Sequence, residues 1–266
     1  MARLSFARAA PASFEGGRPL LELFGDFFKQ LYDTAGWNFV IFYDQVEWDR
    51  FIAAIWTTIK LIIACLIFSV VVGIAGAWAQ GAKSKIVRYG MAGYIQFFRN
   101  TPPFVQILFF YFVLGNLTPS YDAGGYQEAY VGSFGWAVIS LGFFAGAFNT
   151  EIFRSGIEAV PESTVEAASS LGYTRLQSYI YIVFPLAFRV CLPALNNNLV
   201  NLLKTTTLAY GIAVPEMMYT ANQIWSDNVN VPEMMIVLFI FYVGLVAILV
   251  WAMHRWEKKM KIPGYG

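Results

Sequence analysis

The longest apolar run of the chain, residues 51–80, limits the possible folds more than any other feature of the sequence. From Phe51 to Gln80 the only charged side chain is Lys60. About 20 consecutive apolar residues are enough for a helix to cross a bilayer. The whole chain agrees with this run, because 13% of its residues are charged, whereas a soluble domain carries about 25%. The sequence therefore predicts a membrane protein built from helices.

Five apolar segments predict an all-α membrane protein with five transmembrane helices. The second segment begins as an amphipathic stretch and is interrupted at "RNTPP", where Pro102 and Pro103 lack backbone donors. We expect a break or kink there. The five segments are Phe51–Gln80, Tyr89–Gly115, Phe134–Phe153, Val190–Val214 and Met234–His254.

The basic residues between these segments predict the orientation of the chain. Segments 117–133 and 215–233 contain no Lys or Arg. Loop 81–88 and the C-terminal tail are basic, and loops rich in Lys and Arg stay in the cytoplasm. We therefore expect the N-terminus outside, the C-terminus in the cytoplasm, and segment 154–189 in the cytoplasm as well. The basic residues are Lys83, Lys85, Arg88, Arg255, Lys258, Lys259 and Lys261.

The chain divides into three parts on this pattern. Residues 1–50 form an N-terminal tail, in which residues 20–39 carry an apolar stripe typical of a helix lying in the membrane interface. Residues 51–254 form the membrane domain, and residues 255–266 form a basic cytoplasmic tail.

A cytoplasmic hairpin is predicted at 160–185, between the third and fourth membrane helices. Ser163 and Glu166 fit a capping box at the start of a short helix. Gly172 is a natural end for that helix. On spacing alone, Glu166 only caps a connector and the neighbouring alanines only pack closely.

The second helix of the hairpin has its own start signal. Thr174 is followed three residues later by Gln177, which again fits a capping box. An amphipathic pattern follows, and we expect this helix to stop near Pro185.

The sequence contains no recognisable catalytic or nucleotide-binding motif. A phosphate-binding loop needs Gly-Lys-Ser/Thr, and in the nearest match, which ends at residues 81–84, Ala82 stands where Lys is needed. His254 is the only histidine and lies among basic residues, so a metal site is not expected. An integral-membrane enzyme is therefore disfavoured, and nothing predicts nucleic-acid binding.

Lys204 is a cation inside the fourth apolar segment. A charge at mid-bilayer costs at least about 2.5–3.5 kcal/mol unless it faces protein or water. Asn197, Asn201 and Lys204 follow i, i+4, i+7 spacing and share one helix face, which suits a substrate carboxylate. Alternatively, the Asn and Thr side chains join helices, and Lys204 pairs with a buried acid such as Glu151.

The hairpin resembles the EAA signature of ABC-importer permeases. In that family Glu-Ala-Ala is followed by Gly and, further on, by Ile, an apolar residue and Pro. Phe184 stands where the family usually has Leu. The matching residues here are Glu166, Ala167, Ala168, Gly172, Ile182, Phe184 and Pro185.

Three further segments resemble the polar amino-acid uptake branch of this family. They are "FFRNTPPFVQILFFYF" (97–112), "NTEIFRSGIEAV" (149–160) and "LLKTTTLAYGI" (202–212). The last often reads Lys-Asp-Thr-Ser-Leu, so that Thr205 replaces a usual acid and Thr207 a usual Ser. The resemblance covers about residues 50–255 and not the N-terminal tail.

The resemblance implies a multi-pass permease subunit in the bacterial cytoplasmic (inner) membrane. It implies that Glu166, Ala167, Ala168 and Gly172 couple the chain to a cytosolic ABC ATPase dimer, which would bind ATP and Mg, with no cofactor on this chain. It also implies a second permease subunit, like or sister, and an exported substrate-binding protein.

The implied cargo is a polar amino acid or close analogue. The candidate substrate path comprises Lys204, Asn201, Asn197 and Thr205, together with Arg99 and Thr101 beside the proline break. The alternative is a stand-alone secondary transporter or channel for a polar solute, which would leave the hairpin without a role.

Overall fold

The computed structural model describes residues 19–122, 124–125 and 127–260, and this part of the chain is almost entirely helical. Four helical units in it are long and apolar enough to cross a membrane. A fifth apolar helical segment, Pro103–Leu117, is shorter. The four long units are Gln45–Gln80, Ser133–Glu158, Arg175–Ile212 and Val231–Met260.

The described elements follow one another with short connections. A π-helical turn (Phe110–Leu114) follows α4, and another (Tyr179–Val183) joins α7 to α8. A 3-10 helix, Thr206–Ile212, continues α8. The α-helices are α1 (Pro19–Ala35), α2 (Gln45–Gln80), α3 (Lys85–Asn100), α4 (Pro103–Phe109), α5 (Ser133–Glu158), α6 (Glu162–Ser170), α7 (Arg175–Ser178), α8 (Phe184–Thr205), α9 (Met217–Asn228) and α10 (Val231–Met260). The antiparallel strands β1 (Ser120–Asp122) and β2 (Gln127–Ala129) form a small hairpin between α4 and α5.

Helix α2 begins before the apolar run, inside the segment assigned to the N-terminal tail. The carboxylate of Asp44 accepts hydrogen bonds from the backbone N–H groups of Val46 (2.9 Å) and Glu47 (3.1 Å). An acidic N-cap satisfies donors that have no partner inside the helix, so it fixes the first turn here.

The segment before α2 packs against α9 and α10, in the C-terminal part of the chain. Val40 and Ile41 are buried in an apolar cluster with residues of α9 and α10. The backbone N–H of Asn38 donates to Glu233 Oε1 (2.8 Å), and Asn230 Nδ2 donates to the carbonyl of Asn38 (2.8 Å). Residues 38–44 are therefore tied to the start of α10.

The predicted break at "RNTPP" is confirmed. α3 ends at Asn100 and α4 begins at Pro103. Gln106 Nε2 donates to the carbonyl of Phe98 (3.0 Å) and to that of Thr101 (3.0 Å). One buried amide thus replaces the backbone donors that the prolines lack.

Helices α2, α5 and α8 form the close-packed centre. A Cβ at Gly73 would collide with the side chain of Asn149, and one at Gly156 would lie 2.7 Å from the carbonyl oxygen of Ala187. Backbones approach each other closely where glycine removes the side chain, which is typical of membrane helix interfaces. The three helices are packed backbone to backbone at these points.

A buried chain of polar side chains crosses this centre. Asn198 Nδ2 donates to Asn149 Oδ1 (2.7 Å) and to the carbonyl of Ala145 (3.1 Å). Asn149 Nδ2 donates to Ser69 Oγ at 3.3 Å. A buried amide is costly unless it is hydrogen-bonded, so these bonds fix the register of α2, α5 and α8.

Candidate functional site

The first hairpin helix starts earlier than its sequence signals indicated. α6 begins at Glu162, and the backbone N–H of Thr164 donates to the carbonyl of Pro161 (3.0 Å). The prediction of Ser163 as the N-cap is wrong, because this residue lies inside the first turn. Pro161 is the N-cap instead, with a φ of −58° and a ψ of 138°, and its carbonyl accepts the hydrogen bond from Thr164 in the first turn of the helix.

Gly172 ends this helix as predicted. Its φ of +84° lies in the left-handed region, where side chains other than glycine cost about 1–2 kcal/mol. The N–H of Tyr173 donates to the carbonyl of Ala168 (3.1 Å), and the N–H of Gly172 donates to the carbonyl of Ser169 (3.0 Å). This pair of bonds is the Schellman motif, so the turn is set by the backbone.

The second capping box is confirmed, but the helix that it starts does not stop near Pro185. Thr174 and Gln177 exchange both bonds of the box. The chain then widens into the π-helical turn Tyr179–Val183 and continues as α8. In a regular α-helix, proline clashes with the carbonyl four residues earlier. Here the N–H of Phe184 bonds five residues back, to Tyr179, and the wider turn accommodates Pro185.

The hairpin lies outside the packed centre and exposes both polar and apolar residues. Glu166, Ala167 and Gly172 are exposed, whereas Ala168 is buried. Large exposed apolar patches on soluble parts of a protein mark interaction sites. We name the apolar residues here the hairpin patch: Val165, Leu171, Tyr173, Leu176, Ile180 and Tyr181.

Lys204 and its amide neighbours form an exposed face of α8. Lys204 lies in the last turn of α8, and Asn197 and Asn201 are exposed on the same side. Thr205 is partly buried, and its hydroxyl donates to the carbonyl of Asn201 (2.8 Å). In the described part of the chain, Lys204 forms no ion pair.

The pairing of Lys204 with Glu151 is not observed. Glu151 Oε1 accepts from Gln80 Nε2 (2.8 Å), and Glu151 Oε2 accepts from Arg154 (3.0 Å). Both oxygens are therefore engaged by α2 and by the next turn of α5. The Glu151–Arg154 pair has i, i+3 spacing and was readable from the sequence, whereas the contact with Gln80 joins residues far apart in sequence and was not.

Arg99 and Thr101 have other partners than the Lys204 face. The guanidinium of Arg99 lies 5.2 Å from the ring centroid of Phe148 in α5. Thr101 is bound by Gln106 at the break. Among the described residues, neither shares a hydrogen bond or ion pair with Lys204, Asn197 or Asn201. The six residues of the predicted path thus fall into two groups.

Two cavities lie along α10, one beside the 3-10 helix that continues α8 and one beside α8 itself, and we name the surface along these elements the α8–α10 groove. The first, of about 590 Å³, includes Thr207, Leu208, Tyr242 and Val243; we name it the Tyr242 cavity. The second, of about 220 Å³, is named the Glu257 cavity. It is lined by Asn196, Asn197, Val200, Val250, Met253, His254 and Glu257.

Lys204 lies between the two sets of lining residues in the sequence. Val200 of the Glu257 cavity is four residues before Lys204, so these two share one face of α8. Leu208 of the Tyr242 cavity is four residues after Lys204 but belongs to the 3-10 helix, where this spacing does not keep one face. Lys204 is exposed and is not among the lining residues of either cavity.

The sequence analysis missed the α10 side of the groove. Glu257 and His254 were assigned only to the end of a span and to the basic tail. Glu257 follows His254 by three residues, so the two share one face of α10, and this spacing was the available signal. The contact of that face with the Asn-rich segment of α8 joins residues far apart in sequence, so the sequence alone could not show it.

Glu216 was also missed, and it joins α9 to α10. Its carboxylate accepts from the backbone N–H groups of Met218 (2.9 Å) and Tyr219 (2.9 Å) and from the hydroxyl of Tyr242 (2.9 Å). Burial raises the pKa of Glu216 to about 7, although these hydrogen bonds oppose the shift. Nothing in its sequence context distinguished it from an exposed loop acid.

No candidate metal centre occurs among the described residues, since no group of three or more His, Cys, Asp and Glu side chains could hold an ion. The candidate site consists of the exposed hairpin, the exposed α8 face of Lys204, Asn197 and Asn201, and the two cavities along α10.

Comparison with known proteins adds a family model and individual relatives. Residues 69–262 match the model described as "Binding-protein-dependent transport system inner membrane component". The chain is 30% identical over 231 residues to the probable amino-acid permease protein YxeN of Bacillus subtilis, covering 87% of this chain and 98% of that protein. It is 30% identical over 213 residues to the nopaline transport system permease protein NocM of Agrobacterium fabrum, covering 79% and 88%.

Solved structures share the fold. A chain of an amino acid ABC transporter crystallised with histidines superposes with a TM-score of 0.69 at 26% identity, covering 79% of this chain and 94% of that one. A chain of the inward-facing MetNI methionine ABC transporter gives a TM-score of 0.64 at 15% identity, covering 82% and 100%. The second likeness concerns the fold alone.

Proposed function

Because the chain belongs to the family of binding-protein-dependent transport system inner membrane components, we propose that it is the permease subunit of an ABC importer for a polar amino acid or close analogue. The observation that carries this proposal is the hairpin Glu162–Val183. It extends from the membrane bundle, exposes the hairpin patch and carries the EAA residues. Relatives whose names specify amino-acid transport support the substrate class.

The proposed orientation follows from the distribution of charge. The basic loop 81–88 and the basic end of α10 would face the cytoplasm, as would the hairpin. The β-hairpin and the segment around α9, which lack Lys and Arg, would face outward. α3 and α4 together would form the fifth, broken span.

We assign the hydrolysis of ATP, with its Mg, to a separate cytosolic ATPase dimer that binds the hairpin patch. Small exposed side chains at Ala167 and Gly172 would allow a close approach. An exported binding protein would deliver the cargo from outside. The open groove between α8 and α10 would be completed by a second permease subunit, like or sister.

In this proposal, the cargo moves along the α8–α10 groove. Lys204 would bind the substrate carboxylate, while Asn197, Asn201 and Thr205 would supply neutral hydrogen-bonding partners. Arg99 and Thr101 would act at the α3–α4 break, where the chain changes direction. Through the hairpin, the ATPase would shift the groove between a state open to the outside and a state open to the cytoplasm.

The coupling role is tested by comparing Gly172→Val with Gly172→Asn. Asparagine tolerates the left-handed conformation, whereas a β-branched residue does not. The space next to Gly172 is open within this chain, so both variants should insert. We expect Gly172→Val to lose uptake and co-purification of the ATPase, and Gly172→Asn to keep most of both.

If uptake and ATPase co-purification both survive in Gly172→Val, the hairpin is not the site that couples this chain to the ATPase. Uptake that needs no ATPase at all would instead indicate the stand-alone secondary transporter.

The substrate path is tested with Lys204→Met, which keeps the length of the side chain and removes its charge. We expect uptake to collapse while the ATPase still co-purifies and the loaded binding protein still docks. Lys60→Met is the matched control, because Lys60 is also a lone exposed lysine in an apolar helix. Normal uptake kinetics in Lys204→Met would remove Lys204 from the path.

A further inference from the structure

A further cavity lies at the end of the bundle that carries the hairpin. Its volume is about 530 Å³, and we name it the Trp78 cavity. It lies among the last turns of α2, the last turns of α5 and the start of α8. Its walls include Val71 and Trp78 of α2, Ile157 of α5, Tyr179 of the π-helical turn, and Phe184 and Phe188 of α8.

The walls of this cavity are apolar. None of the described residues that line it carries a charged or amide side chain. The lining thiol of Cys191 already donates to the carbonyl of Phe188 (3.3 Å), and Trp78 and Tyr179 contribute one polar atom each. A polar cargo would lose its hydrogen bonds with water there and regain few of them. The ligand that fits this cavity therefore has an apolar body.

The cavity opens toward the outside of the chain. Trp78 is 78% exposed, and Val71 and Phe184 are exposed as well. Tryptophan favours the membrane interface, and Val71 lies seven residues before Trp78, which is about 10 Å along the helix. The cavity thus extends from the interface into the depth at which lipid acyl chains lie.

Two cations lie at the aqueous end of the cavity. Arg175 is one helical turn before Tyr179, whose N–H donates to the carbonyl of Arg175, and residues four apart share one face. Lys83 follows Trp78 by five residues, and the chain turns between them, because the N–H of Gly81 donates to the carbonyl of Trp78 (3.1 Å). Both cations are exposed, and within 19–122, 124–125 and 127–260 neither forms an ion pair.

The acids at this end of the bundle do not neutralise these cations. Glu158 and Glu151 both accept hydrogen bonds from the guanidinium of Arg154 (2.7 and 3.0 Å). Glu162 and Glu166 are exposed on α6, and no described residue of α6 lines the cavity. The aqueous end of the Trp78 cavity therefore keeps a positive charge.

We propose that the Trp78 cavity binds an anionic phospholipid, with one acyl chain in the cavity and the phosphate bound by Lys83 and Arg175. An acyl chain is the apolar body that the walls fit. Basic pockets between membrane helices on the cytoplasmic side bind anionic headgroups. A second copy of this chain, packed here face to face, would bring the same two cations to the contact, so charge disfavours that occupant.

This site goes beyond the proposed function, because it does not depend on the cargo and uses no residue of the α8–α10 groove. Tyr179 and Phe184 line the cavity, and the N–H of Phe184 donates to the carbonyl of Tyr179 across the π-helical turn. The bound lipid would therefore pack on the segment that joins the hairpin to α8.

The experiment measures the quenching of tryptophan emission in the complex, purified with its associated subunits and reconstituted in vesicles. The vesicles contain equal amounts of phosphatidylglycerol and phosphatidylcholine with the same acyl chains, and only one of the two lipids carries bromine on its chains. Bromine quenches a tryptophan that it contacts, and exchanging the labelled lipid leaves the surface charge unchanged. The contribution of Trp78 is the difference between the wild type and Trp78→Phe.

We expect several-fold stronger quenching of Trp78 when phosphatidylglycerol carries the bromine, because each Lys or Arg near a membrane surface strengthens the binding of an anionic lipid about fivefold. Trp56 is the matched control, since it is exposed on the same helix near its other end. Its contribution, obtained with Trp56→Phe, should be the same with either label.

A double variant tests the two cations. Lys83→Gln combined with Arg175→Gln should remove the preference at Trp78 and keep the quenching by both lipids. Lys29→Gln, which changes an exposed cation of α1, should leave the preference intact. If Trp78→Phe does not accumulate, the total emission still tests the site, because the difference between the two labelled vesicles should disappear in the double variant.

Four results would overturn the proposal. Equal quenching of Trp78 by both lipids would mean that the cavity does not select a headgroup. The same preference at Trp56 would indicate a general effect of the membrane. No quenching of Trp78 by either lipid would mean that a protein subunit covers the cavity. A preference that survives in the double variant would place the headgroup elsewhere.

Uptake separates this proposal from the proposed function. If the complex imports no amino acid but shows the preference at Trp78, the importer assignment fails and the lipid site stands. If uptake is normal and Trp78 shows no preference, the lipid site fails and the importer assignment stands.

Discussion

Helices α5 and α10 are both long and apolar, yet they occupy opposite environments. In the most apolar stretch of α5, 67% of the residues are buried inside the chain, compared with 17% in α10. The more buried helix has the lower mean hydropathy, since it contains Gly142, Gly146, Asn149 and Thr150. The more apolar helix lies at the edge and lines the α8–α10 groove.

This difference shows what hydropathy measures in a membrane bundle. Lipid is as apolar as leucine, so helices associate through close packing and hydrogen bonds between small and polar residues. The helix with the most glycine and amide groups therefore occupies the centre. The most apolar helix faces lipid or a partner subunit, so the groove lies where the chain's own packing is weakest.

The largest expected effect comes from filling the α2–α5 contact. A side chain at Gly73 would collide with Asn149 and press on Phe153, and overpacking costs about 1–3 kcal/mol or more. We expect Gly73→Val to prevent accumulation of folded protein. In α10, nothing lies within 4 Å of a Cβ at Gly244, so Gly244→Val should insert and fold. The measurement is the yield of monodisperse protein after detergent extraction.

Equal yields of Gly73→Val and Gly244→Val would contradict the difference in packing between the α2–α5 contact and α10. Loss of Gly244→Val alone would show that a second subunit packs on this part of α10.

A second effect concerns Glu216, which holds α9 against the edge helix. Its folded pKa of about 7 lies above the ordinary value of 4.5, so its contribution is full below pH 4.5 and is lost as the pH rises through 7. One pKa unit corresponds to about 1.4 kcal/mol, which gives a change of about 3 kcal/mol. We expect the denaturation midpoint to fall between pH 5 and pH 8.

Glu216→Gln should remove most of this pH dependence, because the amide keeps a carbonyl acceptor for α9 and does not titrate. Glu162→Gln, in the exposed hairpin, should follow the wild type. An unchanged pH profile in Glu216→Gln would assign the effect to another group.

The smallest expected effect is a shift of the denaturation midpoint when a buried amide of the centre is removed, compared with removal of an exposed amide of α8. Asn149→Ala removes the acceptor of Asn198 Nδ2 and the donor to Ser69, and unpaired buried groups cost about 1–3 kcal/mol. Asn198 keeps its bond to Ala145, so we expect the lower half of that range. Asn197→Ala, on the exposed face, should leave the denaturation midpoint unchanged. Equal shifts would mean that the groove is closed by packing in the assembled protein.

Local chemistry explains which parts of the fold were predictable. The four long helices, the break at Pro102 and the left-handed Gly172 each follow from a property of a few adjacent residues. The Thr174–Gln177 box was predictable for the same reason. These features depend on hydropathy, on missing donors and on backbone conformation, all of which a single segment contains.

Features that depend on competition between neighbours were not predictable. Ser163 is a good cap, but Pro161 starts the helix first. Pro185 ends most helices, but the π-helical turn before it accommodates its ring. The hydrogen bond from Asn196 Nδ2 to Glu257 Oε2 arises from the contact of α8 with α10, which are far apart in sequence.

The π-helical turn at Tyr179–Val183 has a mechanical consequence. Since it does not interrupt the helix, residues 175–212 form one continuous helical segment from the hairpin to the Lys204 face. Lys204 is 29 residues from Arg175, which corresponds to about 44 Å of regular helix. A tilt of about 5° at the hairpin end would swing Lys204 sideways by about 4 Å over that length. A small rotation imposed in the cytosol is thereby magnified into a displacement wide enough to carry a carboxylate past one side chain.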